Sequence, residues 1–278
     1  MGLRIATNVP ALNAHKHLYS VGNQQSTAMA RLASGARINQ ASDDAAGLAI
    51  SENMKAQIRG FRQANRNAND GISLVQIAEG GLNEISSMLT RLRELAIQAA
   101  SDTIGENERQ FTDLEYQQLK EEIERVALTT QFNGVPLLNG QGGIFDIQVG
   151  VQNDQFNDRI SFDSSIANAT LDNLGVADLT ISDKFSAQES LAFVDEALMM
   201  VNGARAHLGS FQSRLQSTSS NLSIAEENLT AANSRIRDAD IAAESSNLAK
   251  SSILMQAATA VLGQANTQPQ LALKLLPS

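Results

Sequence analysis

Cysteine is absent from all 278 residues, which removes disulfides, thiolate metal sites and cysteine nucleophiles. Tryptophan is absent too, and aromatic residues make up only 4% of the chain, so a core of stacked rings cannot form. Of the three histidines, His15 and His17 are two apart and point away from each other on a helix, His207 is remote from both, and no His-Glu-x-x-His motif occurs. No metal site is expected. No run approaches the ~18 apolar residues that would span a bilayer. The segment from Met1 to Thr7 lacks the apolar run and cleavage site of a signal peptide, and Ala6 stands where myristoylation needs Ser or Thr. The expectation is a soluble chain that, if it leaves the cell, does so without a cleaved signal. Gly140-Gln-Gly-Gly143 is not followed by the Lys of a phosphate-binding loop. The net charge of −9 disfavours nucleic acid and anionic membranes as partners. Carboxylates are plentiful, but catalytic ones need a concave pocket to separate their pKa values. The reading is a non-enzyme without cofactors.

What is present is helical periodicity. Ala187, Leu191, Val194, Leu198, Val201, Leu208, Phe211, Leu215, Leu222, Ala225, Leu229, Ala232 and Ile236 recur at spacings of three, four or seven. That is a coiled-coil seam sustained over roughly fifty residues. Ser186 with Glu189 offers a capping box just before it. Such a helix cannot bury its stripe on itself, and Ile58, Phe61, Ala68, Ile72, Val75, Leu82, Ile85, Leu89, Leu92 and Ala96 supply a matching partner. The partner begins after Ser42-Asp43-Asp44, a good N-cap; Gly71 and the Gly80-Gly81 pair interrupt its pattern, and one long helix, bent at most there, is expected. A third helix is predicted from about Glu106 to Thr130. Between Phe132 and Lys184 the period changes. Phe145, Ile147, Val149 and Val151 alternate as a strand, with Ile160 and Phe162 across a polar turn, and Asn133-Gly134 and Asn139-Gly140 mark turns.

Both ends are amphipathic but diluted by polar residues. Residues 1–34 carry Ile5, Val9, Leu12, Leu18, Val21, Met29 and Leu32; residues 237–278 carry Ile241, Leu248, Leu254, Val261 and Leu262. Isolated helices of this kind are marginal in water, so the two are expected to pair with each other and then with copies of the chain. The predicted fold is mainly α, a long antiparallel helical bundle or coiled coil with a small β-hairpin region at 132–184. Residues 1–44 with 237–278 form a discontinuous inner coiled-coil domain, and 45–236 an outer helical domain.

Specific residues carry a family resemblance beyond periodicity. Ile5-Ala-Thr-Asn-Val-Pro-Ala-Leu, Leu32-Ala-Ser-Gly-Ala-Arg-Ile-Asn and Asp43-Asp-Ala-Ala-Gly-Leu-Ala-Ile come first. Arg93-Glu-Leu-Ala-Ile-Gln, Thr130-Gln-Phe-Asn-Gly, Ser234-Arg-Ile-Arg-Asp-Ala-Asp and Gln264-Ala-Asn follow in order. With these the chain resembles bacterial flagellin from end to end, in a minimal form without large outer domains. It departs at Leu276-Pro277-Ser278, where Pro cannot continue a helix.

The resemblance implies a secreted, extracellular subunit, exported unfolded, that polymerises with itself into the flagellar filament for swimming motility. Its implied partners are an export chaperone, cap and hook-junction proteins. It also implies recognition by the host innate immune receptor for flagellin through Arg91, Leu95 and Gln98, with Glu115 on the neighbouring helix. Thr90 departs, where strongly stimulatory members carry Gln. Periodicity alone favours a plainer account of that segment, with Leu92, Leu95 and Ala96 packed inward and Arg91, Arg93 and Glu94 solvated. A soluble two-chain coiled-coil module, such as a secretion chaperone or hook-junction protein, is the competing reading; only a filament subunit would form long polymers.

Overall fold

The structure, a computed structural model, describes the backbone of residues 7–274 and the side chains of residues 7–267. Ile5 and the Leu276-Pro277-Ser278 end lie outside these residues. The order is α1 (Val9–Ser34), α2 (Ala45–Ala99), α3 (Glu106–Thr129), β1 (Gln131–Phe132), β2 (Val135–Pro136), β3 (Ile144–Gln148), β4 (Arg159–Asp163), a short α4 (Leu171–Leu174), α5 (Lys184–Arg237) and α6 (Ile241–Lys274). The chain forms two compact units, Met1–Ala56 with Asn228–Ser278 and Gln57–Glu227. The boundaries fall inside α2 and α5 and not in the breaks between helices.

The second unit holds the main core. The predicted seams meet there: Ala68, Val75, Leu82, Ile85, Leu89, Leu92 and Ala96 of α2 and Ala187, Val194, Val201, Leu208 and Leu215 of α5 are buried in one cluster with Tyr116 and Ile123 of α3. Ion pairs Arg62–Glu226 and Arg93–Asp195, each 2.6 Å, fix the antiparallel register of α2 and α5. Their side chains are between a quarter and a little over half exposed, so each pair contributes only roughly 0–1 kcal/mol. α5 begins at Lys184, with Asp183 O accepting the Ala187 amide at 2.9 Å. The Ser186–Glu189 box therefore lies inside the helix and caps nothing. The earlier start coincides with an ion pair from Lys184 to Asp102 at 2.7 Å.

α3 clasps the segment leading into α5. Lys120 is buried and its Nζ donates to the carbonyls of Ala177 (2.6 Å) and Leu179 (2.8 Å). Burial lowers its pKa, with Asp113 and Asp178 acting against that. Asp113 accepts from the Ile181 amide at 2.8 Å and the Thr180 hydroxyl at 3.0 Å. Beside this clasp the Tyr116 phenol is enclosed, and burial pushes its pKa up to about 12.

β3 and β4 pair antiparallel, Phe145 opposite Phe162 and Ile147 opposite Ile160, as the alternation predicts. β3 ends at Gln148, however, so Val151 belongs to the connecting loop. Asn133, at φ 51°, and Gly134, at φ 80°, form the two-residue turn between β1 and β2; both positive values suit that turn.

α2 is the one long helix expected despite its glycines. The helix is continuous through all of them. A methyl group at Gly71 would overlap Ile147 Cδ1 and lie 3.1 Å from Leu215 Cδ1, one at Gly60 would lie 2.6 Å from Val151, and one at Gly81 would lie 2.7 Å from Leu138. These three admit the β segment against the helix. Nothing approaches Gly80. Gly80→Ala should thus stabilise the protein by up to ~1 kcal/mol through helix propensity, whereas Gly71→Leu should destabilise it by about 1–3 kcal/mol through overpacking. Denaturant midpoints of the two variants check this; equal shifts of one sign would contradict it.

Candidate assembly surface

In the first unit α1 and α6 run antiparallel. Asn8 caps α1 by accepting the Ala11 amide at 3.1 Å, while its Nδ2 donates to Ala265 O at 2.9 Å. Further along, Gln25 donates to Ser252 at 3.2 Å and Arg31 pairs with Glu244 at 3.6 Å. The buried side chains of this pair are small: Ala14 and Ala28 on α1, Ser251 and Ala265 on α6. Within each helix they stand two heptads apart, marking the line of closest approach. Alanine and serine bury little apolar area, so this seam gains little at ~25 cal/mol per Å².

The larger apolar residues divide into two sets. Leu18, Val21, Leu32, Leu248 and Leu262 are half-buried along the seam. Val9, Leu12, Met29, Ile241, Leu254 and Val261 are exposed, Leu12 at 63% and Val261 at 58%. Periodicity placed all of them on one self-association surface; it could not separate the residues that hold the pair from those the pair leaves open. Tyr19 and Ile253, also exposed, join the open set and were missed because polar neighbours dilute the pattern. A polar groove of about 490 Å³ lies along the pair, lined among others by Asn23, Arg31, Glu244 and Lys250.

The breaks flanking these helices are stitched together, which gives a physical reason for two of the sequence motifs. Gly35 ends α1 at φ 68°. The Arg37 amide donates to Arg237 O (2.6 Å), the Ala239 amide to Gly35 O (2.9 Å), and the Arg37 guanidinium to Ile236 O (2.7 Å). Ile38 is fully buried here. Arg237 also pairs with Glu52. Asp240 caps α6 through the amides of Ala242 and Ala243 at 2.9 and 3.1 Å, and Asp44 caps α2 through the amide of Gly47 at 2.8 Å. Asp43 accepts the amides of Asn39 and Gln40 at 3.0 and 3.1 Å, and those two bonds hold its carboxyl below the usual carboxylate range.

In the second unit the Arg91 guanidinium donates to Glu115 Oε1 from Nε (3.0 Å) and Nη2 (2.8 Å), and to Glu94 at 2.9 Å. Arg91, Gln98 and Glu115 are exposed. Leu95 is only 1% exposed. It lies in the core, as periodicity placed it, where α2 packs against both α3 and α5, and so offers no exposed surface to the recognition that the resemblance implied. Phe111 and Leu114 of α3 supply the exposed apolar surface near Glu115 instead.

Among the described residues no three His, Asp or Glu side chains converge as metal ligands, and no helix is long and apolar enough to cross a membrane. Among the described residues the elements are long antiparallel helices with a short hairpin. Residues 5–142 match the family model described as the bacterial flagellin N-terminal helical region, and residues 191–276 the bacterial flagellin C-terminal helical region. The chain belongs to the bacterial flagellin family.

A flagellin of Halalkalibacterium halodurans is 47% identical over 97% of this chain and 98% of its own length. The flagellar filament core protein flaB2 of Brachyspira hyodysenteriae is 41% identical over 98% and 99%. The crystal structure of Bacillus cereus flagellin, 31% identical, superposes with a TM-score of 0.50 over 56% of this chain and 88% of that one. A putative flagellar hook-associated protein of Vibrio parahaemolyticus shares the fold, with a TM-score of 0.58 at 15% identity over 70% of this chain and all of its own.

The Asp43 bonds give the joint a pH dependence with a definite sign. The folded pKa lies below the unfolded value of ~3.9, so the contribution is present above about pH 4 and is lost as pH falls through the folded pKa. Asp43→Asn should be less stable at neutral pH and show a shallower loss on acidification. Hydrogen exchange of the Asn39 and Gln40 amides between pH 2 and 6 checks it; identical profiles in both proteins would contradict it.

Proposed function

We propose that the chain is the structural, non-enzymatic subunit of an extracellular bacterial flagellar filament and that it polymerises with copies of itself for swimming motility. The observation that carries this reading is the open apolar set on α1 and α6, Val9, Leu12, Met29, Ile241, Leu254 and Val261. A helix pair with a small-residue seam and apolar side chains outside is completed by identical neighbours. The filament core proteins among the relatives support the same reading. Ile5 is proposed to extend the surface, and residues 1–44 with 237–278 are proposed as the inner domain of the assembly. Export chaperone, cap and hook-junction proteins are proposed partners by family membership. Sliding of polar-diluted seams between registers would let neighbouring subunits differ slightly in length and curve the filament.

Val261→Asp should leave the monomer helical, since the side chain is exposed there, but prevent assembly. Burying an aliphatic side chain contributes about 1.5–3 kcal/mol, and a buried unpaired carboxylate costs several more, so the critical concentration should rise by well over tenfold. Leu262→Asp, in the seam, should lower helix content as well. Sedimentation and negative-stain microscopy with circular dichroism test both. Filaments of Val261→Asp at the wild-type concentration would remove the inner surface from the proposal, and a wild type that stops at a dimer would favour the two-chain module.

A second reading rests on the exposed Arg91–Glu115 pair with Gln98: recognition of the free subunit by the animal innate immune receptor for flagellin. A forked, charge-assisted Arg contact is a frequent binding hot spot. Arg91→Ala should weaken receptor binding about thirtyfold without unfolding the subunit. Leu95→Ala should instead cost about 2–5 kcal/mol of stability. Receptor binding beside thermal unfolding separates the two; wild-type affinity of Arg91→Ala would end this reading.

A further inference from the structure

The loop between β3 and β4 carries a phenylalanine with nothing to pack against. Phe156 is 94% exposed, while its neighbours Gln152, Asn153, Asp154, Gln155 and Asn157 are all polar. The loop is fixed by its own hydrogen bonds. The amides of Val149 and Gly150 both donate to Asp158 O at 2.8 and 3.0 Å, and the Asp158 amide donates to Asp154 O at 3.0 Å. The Asp154 carboxylate takes the Phe156 amide at 2.9 Å and the Asn157 side-chain amide at 2.6 Å. The Asp154 amide in turn donates to Asp158 Oδ2 at 3.0 Å. An apolar ring is thus presented on a pre-organised loop, so little ordering entropy remains to be lost on binding.

The same unit carries a groove that suits such a ring. It measures about 390 Å³ and is lined on its apolar side by Gly71, Leu74, Phe132, Val135, Phe145 and Ile147. Phe145 and Phe132 offer the aromatic contacts a phenyl ring prefers, and Phe145 is backed by Phe162 at a ring separation of 6.2 Å. At the rim stand Asp70 and Asp146, exposed carboxylates. Gln155, beside the ring, has an amide that can donate to them. Arg59, exposed on α2 next to the Gly60 on which Val151 rests, adds a positive charge at the loop end.

The ring cannot enter the groove of its own chain. The loop meets α2 at Gly60 and the groove meets it at Gly71, about 16 Å apart along the helix, and the β3–β4 pairing holds the loop where it is. Resting on the filament reading above, we infer that Phe156 of one copy inserts into the groove lined by Leu74, Phe132, Val135, Phe145 and Ile147 of a second copy. Knob and groove are different patches of one surface. In a filament each copy has neighbours on both sides, so it can offer its knob to one and its groove to the other, and this contact repeated without closing generates an open polymer.

The absence of native cysteine makes the test direct. Phe156→Cys subunits are co-assembled with Asp146→Cys subunits and treated with a short bismaleimide. The expected product is a covalent dimer containing one subunit of each kind, in the polymer and not in dilute monomer. In parallel, Phe156→Asp should raise the critical concentration at least tenfold with an unchanged monomer circular dichroism spectrum, and Phe156→Leu should assemble nearly as the wild type does. Filaments that form without the mixed cross-link, that give only Phe156→Cys homodimers, or that form equally well from Phe156→Asp overturn this contact alone. Wild-type protein that stays monomeric at every concentration overturns the filament reading and the contact with it.

Discussion

A long amphipathic helix must find an equally long apolar partner, and this chain meets that constraint in two different ways. In the 57–227 unit the partner is internal: α2 and α5 close on each other, with α3 and the hairpin completing the core. In the other unit, the partner that α1 and α6 find in each other is inadequate. The side chains fully buried between them are alanine and serine, the larger residues of the seam are only half-buried, and further leucine, valine and methionine side chains remain in water. The first arrangement gives a folded subunit, and the second a subunit with unspent hydrophobic surface at both ends of its sequence.

The small residues of the chain are as informative as the large ones. Gly60, Gly71 and Gly81 let the β segment lie against α2, and that approach is what shapes the groove beside Ile147. Gly35 turns the chain out of α1 so that Arg37 can bond to Arg237 O. Each of these glycines does work that a residue with a side chain would obstruct, by bulk on α2 and by backbone conformation at Gly35.

Much of this was legible in the sequence. The two seams, the third helix, the Asp44 cap and the Phe145/Ile147 alternation opposite Ile160 and Phe162 all follow from local period and turn chemistry. Other features depend on tertiary neighbours that periodicity does not reveal. Leu95 is the reverse case: periodicity placed it inward, where it lies, and only the resemblance put it at a recognition surface. Gly71 and Gly80 look alike in sequence and differ only in what approaches them. Val151 alternates like a strand residue, but the turn closes at Asp158 before it can pair. Phe156 falls inside the segment read as a polar turn, and period alone does not reveal that its ring stands open there.

The scarcity of aromatic residues gives the molecule a simple optical signature. With no tryptophan, its intrinsic emission comes from two tyrosines, and each reports on a different unit. Tyr116 is enclosed in the core of one and ionises only near 12, so its signal follows unfolding of that core. Tyr19 lies open on α1 in the other. Any covering of the α1 surface should therefore change the emission and quencher accessibility of Tyr19 while leaving Tyr116 unaltered, providing a label-free reporter already present in the native chain.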